Sequence, residues 1–221
     1  MNFFRQLTTK PWLPESEDIP GIDYGGSSAT IPARVGLKMF LIIVSVLFFM
    51  LTIAYAGRMA FEEWRPVPQP WLMWQNTIVL VLASAAMQLA QSAARRDQWN
   101  SAKLAMLAGG VCSFAFIIGQ SRAWQQLVAQ GYFELTNPAV ALFILITGLH
   151  CLHLLGGLVA WGRTVGKLWW SEDFDEVRVT QSIELCTLYW HFLLAVWLLL
   201  FTLLFSGNDN LGVLLTLCGF K

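Results

Sequence analysis

The sequence predicts an all-α integral membrane protein, a bundle of five transmembrane helices. Three observations predict it. Apolar residues make up 56% of the 221-residue chain, more than a soluble core requires. Charged residues make up only 13%, about half the share in a soluble domain. The apolar residues also gather into five stretches, each near the ~20 residues that cross a ~30 Å hydrocarbon layer. Such stretches form helices, because lipid offers no partner for unpaired backbone groups.

The five spans cover residues 35–57, 71–94, 103–124, 138–162 and 183–206, within one transmembrane domain over 35–206. Residues 1–34 form a polar cytoplasmic tail broken by Pro11, Pro14, Pro20 and Pro32. Its acidic run, Glu15, Glu17 and Asp18, reads as solvated surface, with a docking segment for a partner as the alternative. No apolar run follows Arg5 and Lys10, so a cleaved signal peptide is not expected. The third span is the shortest in its strongly apolar part, which ends before Gln120, Ser121 and Arg122, and its helix is read as continuing past the membrane surface. Asn137 and Pro138 form a cap and first-turn pair for the fourth span. Residues 207–221 are a short tail whose apolar run, from Leu211 to Phe220, is too short to span.

Charge sets the orientation. With the N-terminus inside, Arg5, Lys10, Arg34, Lys38, Arg95, Arg96, Lys103, Arg163, Lys167 and Arg178 lie on the inner side, ten of the chain's 14 cations. Arg58, Arg65, Arg122 and Lys221 lie outside. The excess favours N-inside, and five crossings then put the C-terminus outside. Trp64, Trp71, Trp74 and Trp124 form an outer aromatic belt, and Trp99, Trp161, Trp169 and Trp170 an inner one. Small residues at four-residue spacing (Ala86, Ala90, Ala94; Gly109, Ser113; Gly156, Ala160) let helix backbones approach closely.

Several functions are disfavoured. The net charge is zero, so no nucleic-acid footprint exists. Cys112, Cys151, Cys186 and Cys218 form no CxxC pair and read as buried small hydrophobes. No Gly-rich phosphate loop and no Ser–His–Asp or Cys–His constellation occurs, so no catalytic residue is assigned.

Polar groups inside a membrane are expensive and therefore informative. All three histidines of the chain fall within spans: His150 and His153 in the fourth, His191 in the fifth. Glu184 precedes His191 by two turns on nearly the same face. A short loop makes the last two spans antiparallel neighbours, and the rise per residue places His153 and His191 both about 12–13 Å deep. They are expected to face each other. Three readings follow: structural hydrogen bonding between helices or to lipid headgroups, proton relay, and ligation of haem or a metal.

The last two spans also carry a resemblance. Thr147-Gly148-Leu149-His150-Cys151-Leu152-His153-Leu154-Leu155-Gly156-Gly157 resembles the TGxHxxHxxxG segment of subunit III of haem–copper oxidases. Glu184, then Tyr189-Trp190-His191-Phe192 and Val196-Trp197-Leu198, resembles that family's E-x6-HF segment. Asn76-Thr77 and Gln120 are further family-like positions. The resemblance covers residues 35–206, in the short five-helix bacterial form.

It implies an auxiliary, non-catalytic subunit of a respiratory terminal oxidase that reduces oxygen to water and pumps protons, in the bacterial inner (plasma) membrane. Such a subunit packs on the catalytic subunit I, within a complex that includes subunit II. It binds no haem, copper or other metal itself; haem and copper belong to subunit I. It holds phospholipid in a cleft between its first two helices and the rest. With the histidines structural in this reading, His150, His153, Glu184 and His191 are expected to form an interhelix or lipid-facing polar network, and Arg178 and Trp190 are further candidates for lipid headgroup or interface contact. Two positions depart from the family. Ser45 stands where a membrane-buried Glu is usual, and Leu194 where an Asp follows the HF motif. Neither can exchange a proton, so roles of those carboxylates do not carry over. The accessory subunit of nitric oxide reductases shares the fold and is the nearest alternative. A stand-alone transporter or membrane haem carrier is the rival from another class, and the absence of an internal repeat argues against the transporter.

Overall fold

The computed structural model describes residues 30–58, 71–129, 138–170 and 175–205. The N-terminal tail before Thr30, the belt residue Trp64, Asn137 and the C-terminal tail lie outside the described residues. Every described element is a helix: α1 (Thr30–Arg58), α2 (Leu72–Ala94), α3 (Trp99–Ala129), α4 (Pro138–Trp170) and α5 (Glu176–Phe205). All five are long and apolar enough to cross a membrane.

Four of the five helices outrun their apolar spans, and α2 matches its own. α3 begins at Trp99 and reaches Ala129, α4 continues to Trp170, and α5 starts at Glu176. Hydropathy marks only the part covered by lipid, whereas backbone bonding continues where side chains become polar. The ends suit the helix dipole, with Glu176 in the first turn of α5, Arg58 in the last turn of α1 and Lys167 in the last turn of α4. α2 closes with a tight turn. Asp97 adopts φ 57°, and Gln98 N–H reaches back to Ala93 O at 3.0 Å. Asp tolerates this left-handed position better than most residues.

That turn makes α2 and α3 an antiparallel pair, the most extensive contact in the bundle. Small residues permit it. Ala86, Ala90 and Ala94 are buried, and a Cβ on Gly109 would lie 2.8 Å from Met87 Cε. α5 touches α1, α2 and α4, while α1 touches only α4 and α5. Half of α5's most apolar stretch is buried, against 17% of α1's. α5 is therefore the central column and α1 the outlying helix. Gly156 breaks the small-residue expectation: nothing lies within 4 Å of a Cβ placed there. It faces a groove, not a helix.

Trp161 of α4 bridges to α3, its Nε1–H donating to Met106 O at 2.9 Å. Its ring occupies the space in which a Cβ on Gly110 would fall. Gly110→Ala is expected to expel the ring and break that bond, destabilising the bundle by about 1–3 kcal/mol. Thermal denaturation of the detergent-solubilised protein measures it.

Candidate functional site

The polar side chains within the bundle follow from α5. Residues 183, 186, 187, 190, 193 and 197 recur at helical spacing and are all buried. Trp190 and Trp197, seven apart, are completely buried. An indole N–H buried in apolar surroundings must find an acceptor. Trp190 Nε1–H donates to Ser113 Oγ of α3 at 2.8 Å, and Trp197 Nε1–H to Thr77 Oγ1 of α2 at 3.0 Å. Thr187 adds a third link, from Oγ1 to Met87 O at 3.0 Å. Asn76 donates to Gln120 Oε1 at 3.3 Å, so those two family-like positions meet. Trp190 is thus a core residue whose indole joins α5 to α3, and it also lines the groove between α1, α4 and α5.

The three imidazoles part company. His150 is completely buried in a cage of rings, with centroids of Trp197 at 5.1 Å, Phe116 at 5.8 Å and Phe48 at 6.3 Å. Neither of its nitrogens, nor Gln120 Nε2, has a hydrogen-bond partner among the described residues. His153 donates from Nδ1 to Leu149 O one turn back, at 2.8 Å. Its ring lies beside Phe48 and Phe40 of α1, and its own carbonyl accepts from Tyr189 Oη–H at 2.8 Å. His191 shares a 2.9 Å hydrogen bond with Ser84 of α2. The expected meeting of His153 and His191 therefore does not occur. Helical rotation turns His153 towards α1 and His191 towards α2, so equal depth does not make them neighbours.

Glu184 lies two turns before His191 on nearly the same face of α5. Its Oε1 accepts from Arg95 Nη2 at 2.8 Å and Nε at 3.0 Å, and its Oε2 from Arg34 Nη2 at 2.7 Å. Arg178 is instead paired with Asp175 at 3.0 Å, within its own helix start. Ser45 spends its hydroxyl on Leu41 O, at 2.7 Å. Leu194 packs against the core as an ordinary apolar residue. Among the described residues, no three His, Cys, Asp or Glu side chains are placed to hold a metal ion.

A groove of about 450 Å3 runs between α1, α4 and α5. Leu37, Phe40, Gly156, Ala160, Leu185 and Tyr189 form its apolar walls. Arg163, Lys167 and Ser182 gather at one end, the same end of the bundle as Glu184. Lys167 Nζ donates to Ser182 Oγ at 3.4 Å. Arg163 makes no ion pair among the described residues. Sequence reading placed these two cations only in an inner loop. Their i, i+4 spacing beside exposed Gly156 and Ala160 was the signal for a shared face.

No protein-family model matches the chain. It is similar to the probable cytochrome c oxidase subunit 3 of Mycobacterium tuberculosis, with 29% identity over 146 residues, covering 65% of this chain and 71% of the relative. The cytochrome c oxidase subunit 3 of Synechocystis sp. is 28% identical over 198 residues, 84% of this chain and 80% of its own. The cytochrome bo(3) ubiquinol oxidase subunit 3 of Pseudomonas aeruginosa is 25% identical over 130 residues, 59% and 61% of the two chains. Fold and site thus define a multi-pass helical membrane protein whose buried polar groups mainly join helices. The curated proteins it resembles, at modest identity over most of the chain, are named as subunit 3 of cytochrome c oxidases and of a bo(3) ubiquinol oxidase.

The Ser84–His191 bond should show as energetic coupling. Ser84→Ala and His191→Ala are each expected to destabilise the bundle, with a coupling of about 0.6 kcal/mol in the double-mutant cycle. Denaturant titration in mixed micelles measures it.

Proposed function

We propose that this chain is the auxiliary subunit III of a respiratory haem–copper terminal oxidase, embedded in a bacterial inner membrane with its N-terminus inside. It packs on the catalytic subunit I, which holds the haem and copper, and makes the complex more durable. It supplies no catalytic group to oxygen reduction. The observation that carries this reading is the pairing of its homologues with the use of its histidines. His191 and His153 are committed to helix contacts. His150 packs among the rings of Trp197 and Phe116.

The same reading includes phospholipid. The groove between α1, α4 and α5 pairs apolar walls with Arg163 and Lys167 at one end. Those features suit acyl chains and an anionic headgroup, respectively. This groove lies beside the contacts of α1 with α4 and α5, whereas α2 packs with α3.

Purification through a tag on this chain, followed by mass spectrometry of the intact complex and haem spectroscopy, tests the reading. A haem–copper oxidase subunit I should accompany the chain. Recovery of a nitric oxide reductase instead, or of a haem-containing chain alone, would overturn it. In the lipid arm, Arg163→Gln with Lys167→Gln is expected to reduce retained phosphatidylglycerol by about one molecule per complex, with haem spectra unchanged.

A further inference from the structure

The outlying position of α1 gives Glu184 a particular geometry. α1 and α2 do not touch, yet Arg34 begins one and Arg95 ends the other. Glu184 of α5 stands between them and engages both, one carboxylate oxygen to each. The carboxylate is only 20% exposed, while the two guanidinium side chains are 52% and 59% exposed. The acid is held by the bundle, and the arginines reach it from either side.

The neighbouring residues connect this triad to the groove. Leu37, one turn after Arg34, and Leu185, next to Glu184, both form groove walls. Phe40 completes the α1 wall and touches the rings of His153 and Tyr189. A second cavity of about 450 Å3 lies on the other flank of α1, between Val46, Phe49, Ala195 and Leu199. α1 therefore has open space on both sides, with an ion pair at its Arg34 end.

We propose that Glu184 is a latch. By holding Arg34 while anchored to Arg95, it keeps α1 closed over the groove, and its release lets α1 move away from α4 and α5 so that the bound lipid exchanges. This rests on the phospholipid reading given above and adds a control element to it. The motion needs little energy, because an exposed ion pair contributes modestly and α1 buries little of its surface. The latch thus tunes exchange and leaves the fold intact.

The test uses the purified complex with native cysteines replaced and nitroxide labels at Met39→Cys of α1 and Leu188→Cys of α5. Both positions are exposed. In Glu184→Gln, the inter-label distance distribution is expected to broaden towards longer values. Bound phosphatidylglycerol, chased with its deuterated form, should exchange about two- to fivefold faster, the range a single exposed ion pair implies. Arg34→Gln should reproduce both effects, Arg34→Lys should largely restore both, and Arg122→Gln on α3 should change neither. Unchanged distances in Glu184→Gln overturn the latch. Broadened distances with unchanged exchange overturn its control of the groove. Absence of groove lipid from the wild-type complex overturns the lipid reading and, with it, control of lipid exchange, while the distance measurement still decides whether Glu184 holds α1.

Discussion

The bundle depends on two indole N–H groups of α5. Burying Trp190 and Trp197 away from water would be costly if their donors were unpaired. Ser113 on α3 and Thr77 on α2 supply the acceptors. Because lipid tails are as apolar as the side chains, hydrophobic burial alone does not select this arrangement. Shape and donor–acceptor matching do. Once the two indoles are seated, α5 must lie against the α2–α3 pair. His150 and Phe116 then pack against the Trp197 ring, and Phe48 against His150.

The same logic explains why one side of the molecule is tight and the other open. The α2–α3 interface is lined by Ala86, Ala90, Ala94 and Gly109, which let the backbones approach. On α4 the small residues Gly156 and Ala160 meet no opposing helix, so their lack of bulk becomes groove volume. One sequence pattern thus has two uses. The difference lies in whether a neighbour offers side chains, such as Met87, to fill the space.

Much of the architecture was legible in the residues. Five apolar stretches of bilayer length foretold five helices, and the Thr147–Gly157 and Glu184–Leu198 segments pointed to the subunit III homologues. The candidate polar residues were legible as a set but not as partners. Equal depth suggested that His153 and His191 meet, yet depth follows from the rise per residue whereas partnership follows from rotation about the helix axis. Nor did hydropathy reveal that the Trp190 indole would donate to Ser113 across the bundle, since aromatic residues occur in belts and cores alike. Arg163 and Lys167 looked like ordinary loop cations because their helix extends past the apolar span.

By itself, then, the sequence determined the number of helices, their apolar extent and the family likeness. Those properties are set by local composition and short motifs against the fixed thickness of a bilayer. The tertiary structure alone decided that α5 is central and α1 peripheral, that the imidazoles face different helices, and that Glu184 spans the gap between Arg34 and Arg95. These depend on how far each helix is turned and which donors and acceptors coincide across 150 and 89 residues of intervening chain.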